Sequence, residues 1–310
     1  AAGLRPLHLQ HAGVARVFAL MTTATPKAVP DSLAFVRLWC HECMRVFSDR
    51  LINDADMQAF HTLLNAQLEQ HFRMDLMKVT SGQRLLYADF MVPGADPKQY
   101  EEVIDTERLT EVVKDYLGEC NRSITPSMPL FMFMDAIEHV VKVCRTLRQH
   151  NGRVLLLGVG GSGRRSIARL SIMICEYETF QVEMTKHFGV GDWKELMRQL
   201  LLGVGLEEKQ SVLLMTDTQI VNELFLEDIS GLLNNGDVPN LFDASTLEDI
   251  STHMRPICTV ERLPTTKVGL YARFIQADKA LEEFQVAMET ASEQKKEAEA
   301  LKAQLGVESK

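Results

Sequence analysis

The middle of this chain predicts an α/β fold with a parallel sheet, and three observations carry the prediction. A short apolar run, Val154-Leu155-Leu156-Leu157, leads into the glycine-rich loop Gly158-Val159-Gly160-Gly161-Ser162-Gly163 and then into a helix-like segment. Two more strand-like runs follow at 180–184 and 211–217, and helix-like segments at 166–176 and 192–202 separate the three. The third run ends on an acid, Asp217, which a parallel sheet would present at its carboxyl edge beside the loop. Strands alternating with helices imply parallel pairing through right-handed crossovers.

The loop is the first element to justify. Four glycines within residues 158–163 allow consecutive N–H groups to point inward, and the following helix adds the positive end of its dipole. This is the layout of a phosphate-binding P-loop, G-x-x-x-x-G-K-[ST], fitted at Gly158 and Gly163. Arg164 holds the lysine slot, where it can pair with phosphate as a planar fork. Arg165 holds the Ser/Thr slot and offers no hydroxyl to Mg²⁺; a cation there is expected to add little. Ser166 comes one residue late, about 100° around the helix. Asp217 is the candidate Mg²⁺-linked carboxylate, with a plain turn or cap aspartate as the other reading. Its neighbour Thr218 stands where a water-polarising carboxylate belongs and cannot act as a general base at neutral pH. Glu223 and Glu227 are assigned to the helix after the strand end.

Residues 1 to about 75 read as helices, with Asp31 or Ser32 capping an amphipathic run that reaches Phe47. Further helices are expected at 100–117 and 130–149. Cys40-His41-Glu42-Cys43 has the look of a metal half-site, but no second Cys/His pair completes it, and its helical period favours core packing. Six scattered cysteines suit a reducing compartment better than a disulfide framework. The net charge of −9 argues against nonspecific nucleic-acid binding, and no apolar run reaches transmembrane length, so neither nucleic acid nor membrane is an expected partner. The chain opens on Ala1-Ala2 and not on Met, which suggests a fragment or a processed product.

The last thirty-odd residues change character. Glu, Lys, Ala and Gln dominate, and Leu281, Phe284, Met288, Ala291, Ala298 and Leu305 follow a 3-4 spacing. This predicts the start of a coiled-coil helix over 277–310, or else a single solvated helix.

Taken together, these residues resemble a known family. The loop 158–164 with Ser166, Phe180-Gln181-Val182-Glu183, Thr216-Asp217-Thr218-Gln219-Ile220, Phe225-Leu226-Glu227-Asp228-Ile229 and the run from Leu232 through Asn234-Asn235-Gly236-Asp237 to Phe242 are similar to the fourth AAA+ module of an axonemal dynein heavy chain. Residues 37–51 resemble the helical lid of the third module, and 281–305 resemble the first strand of the stalk. The division this implies is a lid region and linker over 1–125, a partial P-loop AAA+ module over 126–276, and a stalk-like helix over 277–310.

The resemblance implies ATP or ADP held by Gly158, Gly160, Gly161, Ser162, Gly163, Arg164 and Ser166, with Mg²⁺ near Asp217 weak or absent and little or no hydrolysis. The implied partners are neighbouring AAA+ modules of the same heavy chain and, through the parent motor, dynein intermediate and light chains and microtubules. The implied place is the cytoplasm and the axoneme of a cilium or flagellum. A structural spacer that joins ring to stalk and binds nothing is the rival reading. Ile275-Gln276 passes almost directly into the stalk-like helix, so the sensor strand and lid of such a module are expected to be missing. The loop-bearing strand would then lie at an edge with unpaired backbone, covered in part by residues 258–276.

Overall fold

The computed structural model describes residues 11–123, 127–128, 130–149, 152–182, 188–207, 209–280 and 284–290, the side chains of 11–12 and 277–290 excepted. The chain divides into two compact units, one of residues up to Asp115 with 132–145, the other of 116–131 with the residues from Thr146 on.

The first unit opens with α1 (His11–Met21) and α2 (Ser32–Cys43). Asp31 is the cap of α2: its carboxylate accepts from the Ala34 N–H at 2.7 Å. The helix runs directly into a π-helical turn at Met44–Ser48, so the amphipathic run reaches Phe47 as expected. Next come α3 (Asp54–Phe72), α4 (Leu76–Thr80), and the two-residue strands β1 (Tyr87–Ala88) and β2 (Glu101–Glu102), paired antiparallel. The helix expected at 100–117 is shifted. It is α5 (Thr106–Ser123), and it starts late because Asp105 caps it, accepting from Glu107 N–H at 3.0 Å and Arg108 N–H at 2.9 Å. Glu102 is drawn instead to Arg37, whose Nε donates to both carboxylate oxygens at 3.0 Å. The helix expected at 130–149 is α6 (Met134–Leu147).

Cys40 and Cys43 lie in the core, and burial pushes both thiols up to about 12. Beside them Glu42 is fully buried and ionically paired. Tyr100 donates to it at 2.8 Å and Arg145 grips both its oxygens. Burial, then the Glu42 charge, holds the Tyr100 phenol well above its usual range. His41 turns its Nδ1 to the Leu85 carbonyl at 3.0 Å, and burial lowers its pKa well below the ordinary value, ahead of the nearby arginines.

In the second unit the strands are β3 (Arg153–Leu157), β4 (Glu178–Gln181), β5 (Ser211–Thr216) and β6 (Phe284–Thr290), all parallel, in the order β3-β6-β5-β4. Helices α7 (Arg164–Cys175), α8 (Val190–Glu207), α9 (Glu223–Asn235), α10 (Ala244–Val260) and α11 (Lys267–Ala280) complete it. Every residue of β5 is buried, which requires cover on both faces. Leu213 and Met215 share a core with Trp193, Met197, Leu200 and Val204 of α8 and with Phe225 and Ile229 of α9. Asp228 ties α9 to α8, accepting from Trp193 Nε1 and from Lys194 Nζ, each at 2.9 Å.

Two expectations are corrected here. The helix expected from residue 277 does not continue: α11 stops at Ala280, and Phe284–Thr290 is a strand. The remaining stalk-like residues, 291–310, lie outside the described residues, as do 183–184 of the expected second strand. Strand β6 fills the slot between β3 and β5, pairing Leu155 with Met288 on one side and Leu213 with Val286 on the other. Among the described residues the loop-bearing β3 therefore has one strand partner, β6, and is an edge on its other side. Residues 258–276 do not cover that edge. Leu270 and Phe274 are buried in the α8 core, against Gly205, where an added Cβ would lie 2.3 Å from Phe274 Cε2.

Glu42→Ala should lower stability by about 3–5 kcal/mol, because it removes one partner of a buried ion pair and the acceptor of the Tyr100 hydroxyl. A urea unfolding midpoint measures this; an unchanged midpoint would show that the pair contributes nothing net.

Candidate functional site

The loop between β3 and α7 is a tight cradle. Gly161 (φ +82) and Gly163 (φ +81) adopt the left-handed conformation that disfavours side chains, and Gly163 caps α7. Ser162 N–H bonds to the Val159 carbonyl at 3.2 Å, closing the turn. Around Gly160 and Gly161 there is open space within 4 Å of an added Cβ. The first amides of α7 have no partner within the helix and sit at its positive end. Gly158 has close company: a Cβ there would lie 3.1 Å from both Ser162 Oγ and Arg164 Cδ. Arg164 is thus folded back over the start of the loop and is buried. Leu130 flanks the other end, 3.5 Å from an added Cβ on Gly163.

The carboxyl end of β5 faces a second feature. A cavity of about 430 Å³ is lined by Arg165, Arg169, Gln181, Val182, Thr216, Thr218 and Gln219. Its wall is fixed by Gln219, whose Oε1 accepts from Thr216 N–H at 2.7 Å and whose Nε2 donates to the Val182 carbonyl at 2.6 Å. Arg169 Nη2 donates to Gln181 Oε1 at 2.6 Å. Thr216 and Thr218 share a hydroxyl contact at 3.1 Å.

Residues 128–298 match the family model described as the P-loop containing dynein motor region D4. The chain belongs to the dynein heavy-chain family. Residues 9–81 match the model of an AAA+ lid domain. Over 261 residues the chain is 42% identical to dynein axonemal heavy chain 1 of Mus musculus, covering 84% of this chain and 6% of that protein, and the figures for the Homo sapiens protein are the same. Dynein axonemal heavy chain 3 of Mus musculus is 38% identical over 272 residues, 83% of this chain and 7% of that protein. This chain therefore spans less than a tenth of the length of these relatives.

Within this dynein D4 region, Gly158, Ser162 and Arg164 come together at the base of the loop, and Gly160, Gly161 and Gly163 form its rim. Ser166 is half-buried in the first turn of α7. Asp217 starts a short 3₁₀ turn after β5, and its Oδ1 accepts from the Thr218 N–H at 2.9 Å. It is not among the described residues lining the cavity that holds Arg165. Glu223 and Glu227 are exposed on α9, the helix to which the sequence assigned them.

The cradle suits the phosphates of a nucleotide: open space around Gly160 and Gly161 and a helix end. The Mg²⁺ that P-loop proteins hold through a Ser/Thr hydroxyl and a strand-end aspartate does not fit this donor set. A guanidinium has donors and no lone pair to give a metal, and the described cavity wall holds no carboxylate.

Arg169 and Gln219 were missed in sequence. Both had signals: Arg169 follows Arg165 by four residues, on one helix face, and Thr216-Asp217-Thr218-Gln219 is a capping-box pattern. Gln219→Ala should lower stability by about 1–3 kcal/mol, the cost of a buried backbone group left without its bond. Chemical denaturation reads this directly, and no change would mean that other groups satisfy Thr216 and Val182.

Proposed function

We propose that this chain supplies a nucleotide-holding AAA+ module with little or no hydrolysis to the motor ring of an axonemal dynein. The cradle at Gly158, Gly160, Gly161, Ser162 and Gly163 would hold the phosphates of ATP or ADP. Arg164 would swing from the loop base to pair with them, and Ser166 would sit beside them in the first turn of α7. The observation that carries the reading is the loop itself, with Gly161 and Gly163 in left-handed conformations directly ahead of α7. Thr218 at the position after Asp217 supports low turnover, because a hydroxyl does not take the proton of an attacking water at neutral pH. Asp217 would act as a turn-forming residue, with at most a distant role toward a metal.

In the parent motor, the module's partners would be the neighbouring AAA+ modules of the same heavy chain. Intermediate and light chains and the microtubule would be engaged elsewhere in that motor. The place would be the axoneme of a cilium or flagellum. One observation favours the rival, a spacer that binds nothing: Arg164 already lies buried across Gly158.

Titration with a fluorescent ADP or ATP analogue separates the two. The expected result is saturable binding that Arg164→Ala weakens at least about tenfold, the loss of one charge-assisted contact of roughly 1.5–3 kcal/mol. Phosphate release should stay near background. A steady rate of about 1 per second, that of a competent enzyme, would contradict the low-turnover reading. Absence of binding would leave the spacer.

A further inference from the structure

The cavity at the end of β5 has a chemistry that the loop alone does not explain. Position 165 is the slot from which a P-loop hydroxyl reaches the metal that bridges the terminal phosphates. Here that slot carries an arginine, and Arg169 follows one turn later on the same face of α7. Both line the same cavity, opposite Thr216 and Thr218. Arg169 is steered by Gln181, and the opposite wall is locked by Gln219 through Thr216 and Val182. The volume of about 430 Å³ lies within the usual range for small-molecule sites. The described lining therefore offers two cations, two hydroxyls and two side-chain amides, and no carboxylate, thiolate or imidazole to receive a metal.

We propose that Arg165 and Arg169 take the place of the divalent cation, so that the site holds the terminal phosphate of a nucleoside di- or triphosphate without Mg²⁺. The proposal rests on the reading of the loop as a nucleotide cradle. A guanidinium is a permanent cation with a planar fork of donors that matches two phosphate oxygens at once. Placed at position 165, it neutralises the charge a metal would otherwise neutralise and repels a second cation from that spot. Arg165 is then a ligand of the phosphate, which reverses the sequence expectation that a cation at this position adds little. Arg169, held by Gln181, is a positioning residue that raises the local potential one turn further along.

The test is a titration of the full chain with a fluorescent ADP analogue, once with excess MgCl₂ and once with excess EDTA. The expected result is binding in both buffers with dissociation constants within about threefold, where a tenfold change would correspond to 1.4 kcal/mol. In EDTA, Arg165→Gln should weaken binding by about tenfold or more, since it keeps length and polarity while removing one charge-assisted contact. Far-UV circular dichroism should be unchanged, as Arg165 is exposed in the first turn of α7. Wild-type binding that survives in MgCl₂ and is lost in EDTA overturns this inference and leaves the nucleotide cradle standing. Arg165→Gln binding like the wild type in EDTA also overturns it. Absence of binding in both buffers overturns both readings together.

Discussion

Strand β5 is buried along its whole length, so each of its backbone N–H and C=O groups must find a partner inside the protein. One edge pairs with β4, from Glu178 opposite Ser211 to Gln181 opposite Leu214. The other edge cannot be left open, and β6 closes it, from Phe284 opposite Ser211 to Glu289 opposite Thr216. The same strand then carries β3 on its far side. The glycine loop that leaves β3 and the Thr216–Gln219 turn that leaves β5 are held on one sheet edge by this shared neighbour. Without it, the cradle and the cavity would have no fixed relation to the sheet.

That placement sets the electrostatics. Parallel strands and a helix start bring backbone N–H groups to the carboxyl edge, and α7 adds Arg164, Arg165 and Arg169 to the same region. Among the acids with described side chains, Asp217 accepts from its own neighbour, Asp228 is engaged by Trp193 and Lys194, and Glu223 and Glu227 are exposed. On the proposed reading this edge would hold an anion, and the arginines would supply by side chain what a P-loop protein otherwise draws from a bound metal.

The sequence made the loop legible because glycine density after an apolar run has few other physical explanations. It made β5 and its strand-end acid legible for the same reason, a buried-type run bounded by a turn. Strand β6 was hidden by an ambiguity of period. Phe284, Val286 and Met288 alternate as a strand should, while Leu281, Phe284, Met288 and Ala291 are spaced as a helix should be. Local pattern could not arbitrate; the vacancy beside β5, a tertiary demand, did. The late start of α5 was hidden in the same way, because Glu101 and Glu102 read as helix formers until Arg37, distant in sequence, claims Glu102. Asp217 is a metal candidate by motif, and in the structure its carboxylate accepts from the Thr218 N–H within the backbone turn.

The central claim is that residues 284–290 complete the sheet between β3 and β5. Hydrogen–deuterium exchange followed by mass spectrometry tests it most directly, because backbone protection reports ladder pairing without regard to side chains. The account predicts that amides of 284–290 exchange as slowly as those of 211–216, and that those of 153–157, at the sheet edge, exchange faster. Rapid exchange across 284–290 with β5 still protected would contradict it and would return that segment to a solvent-exposed arm.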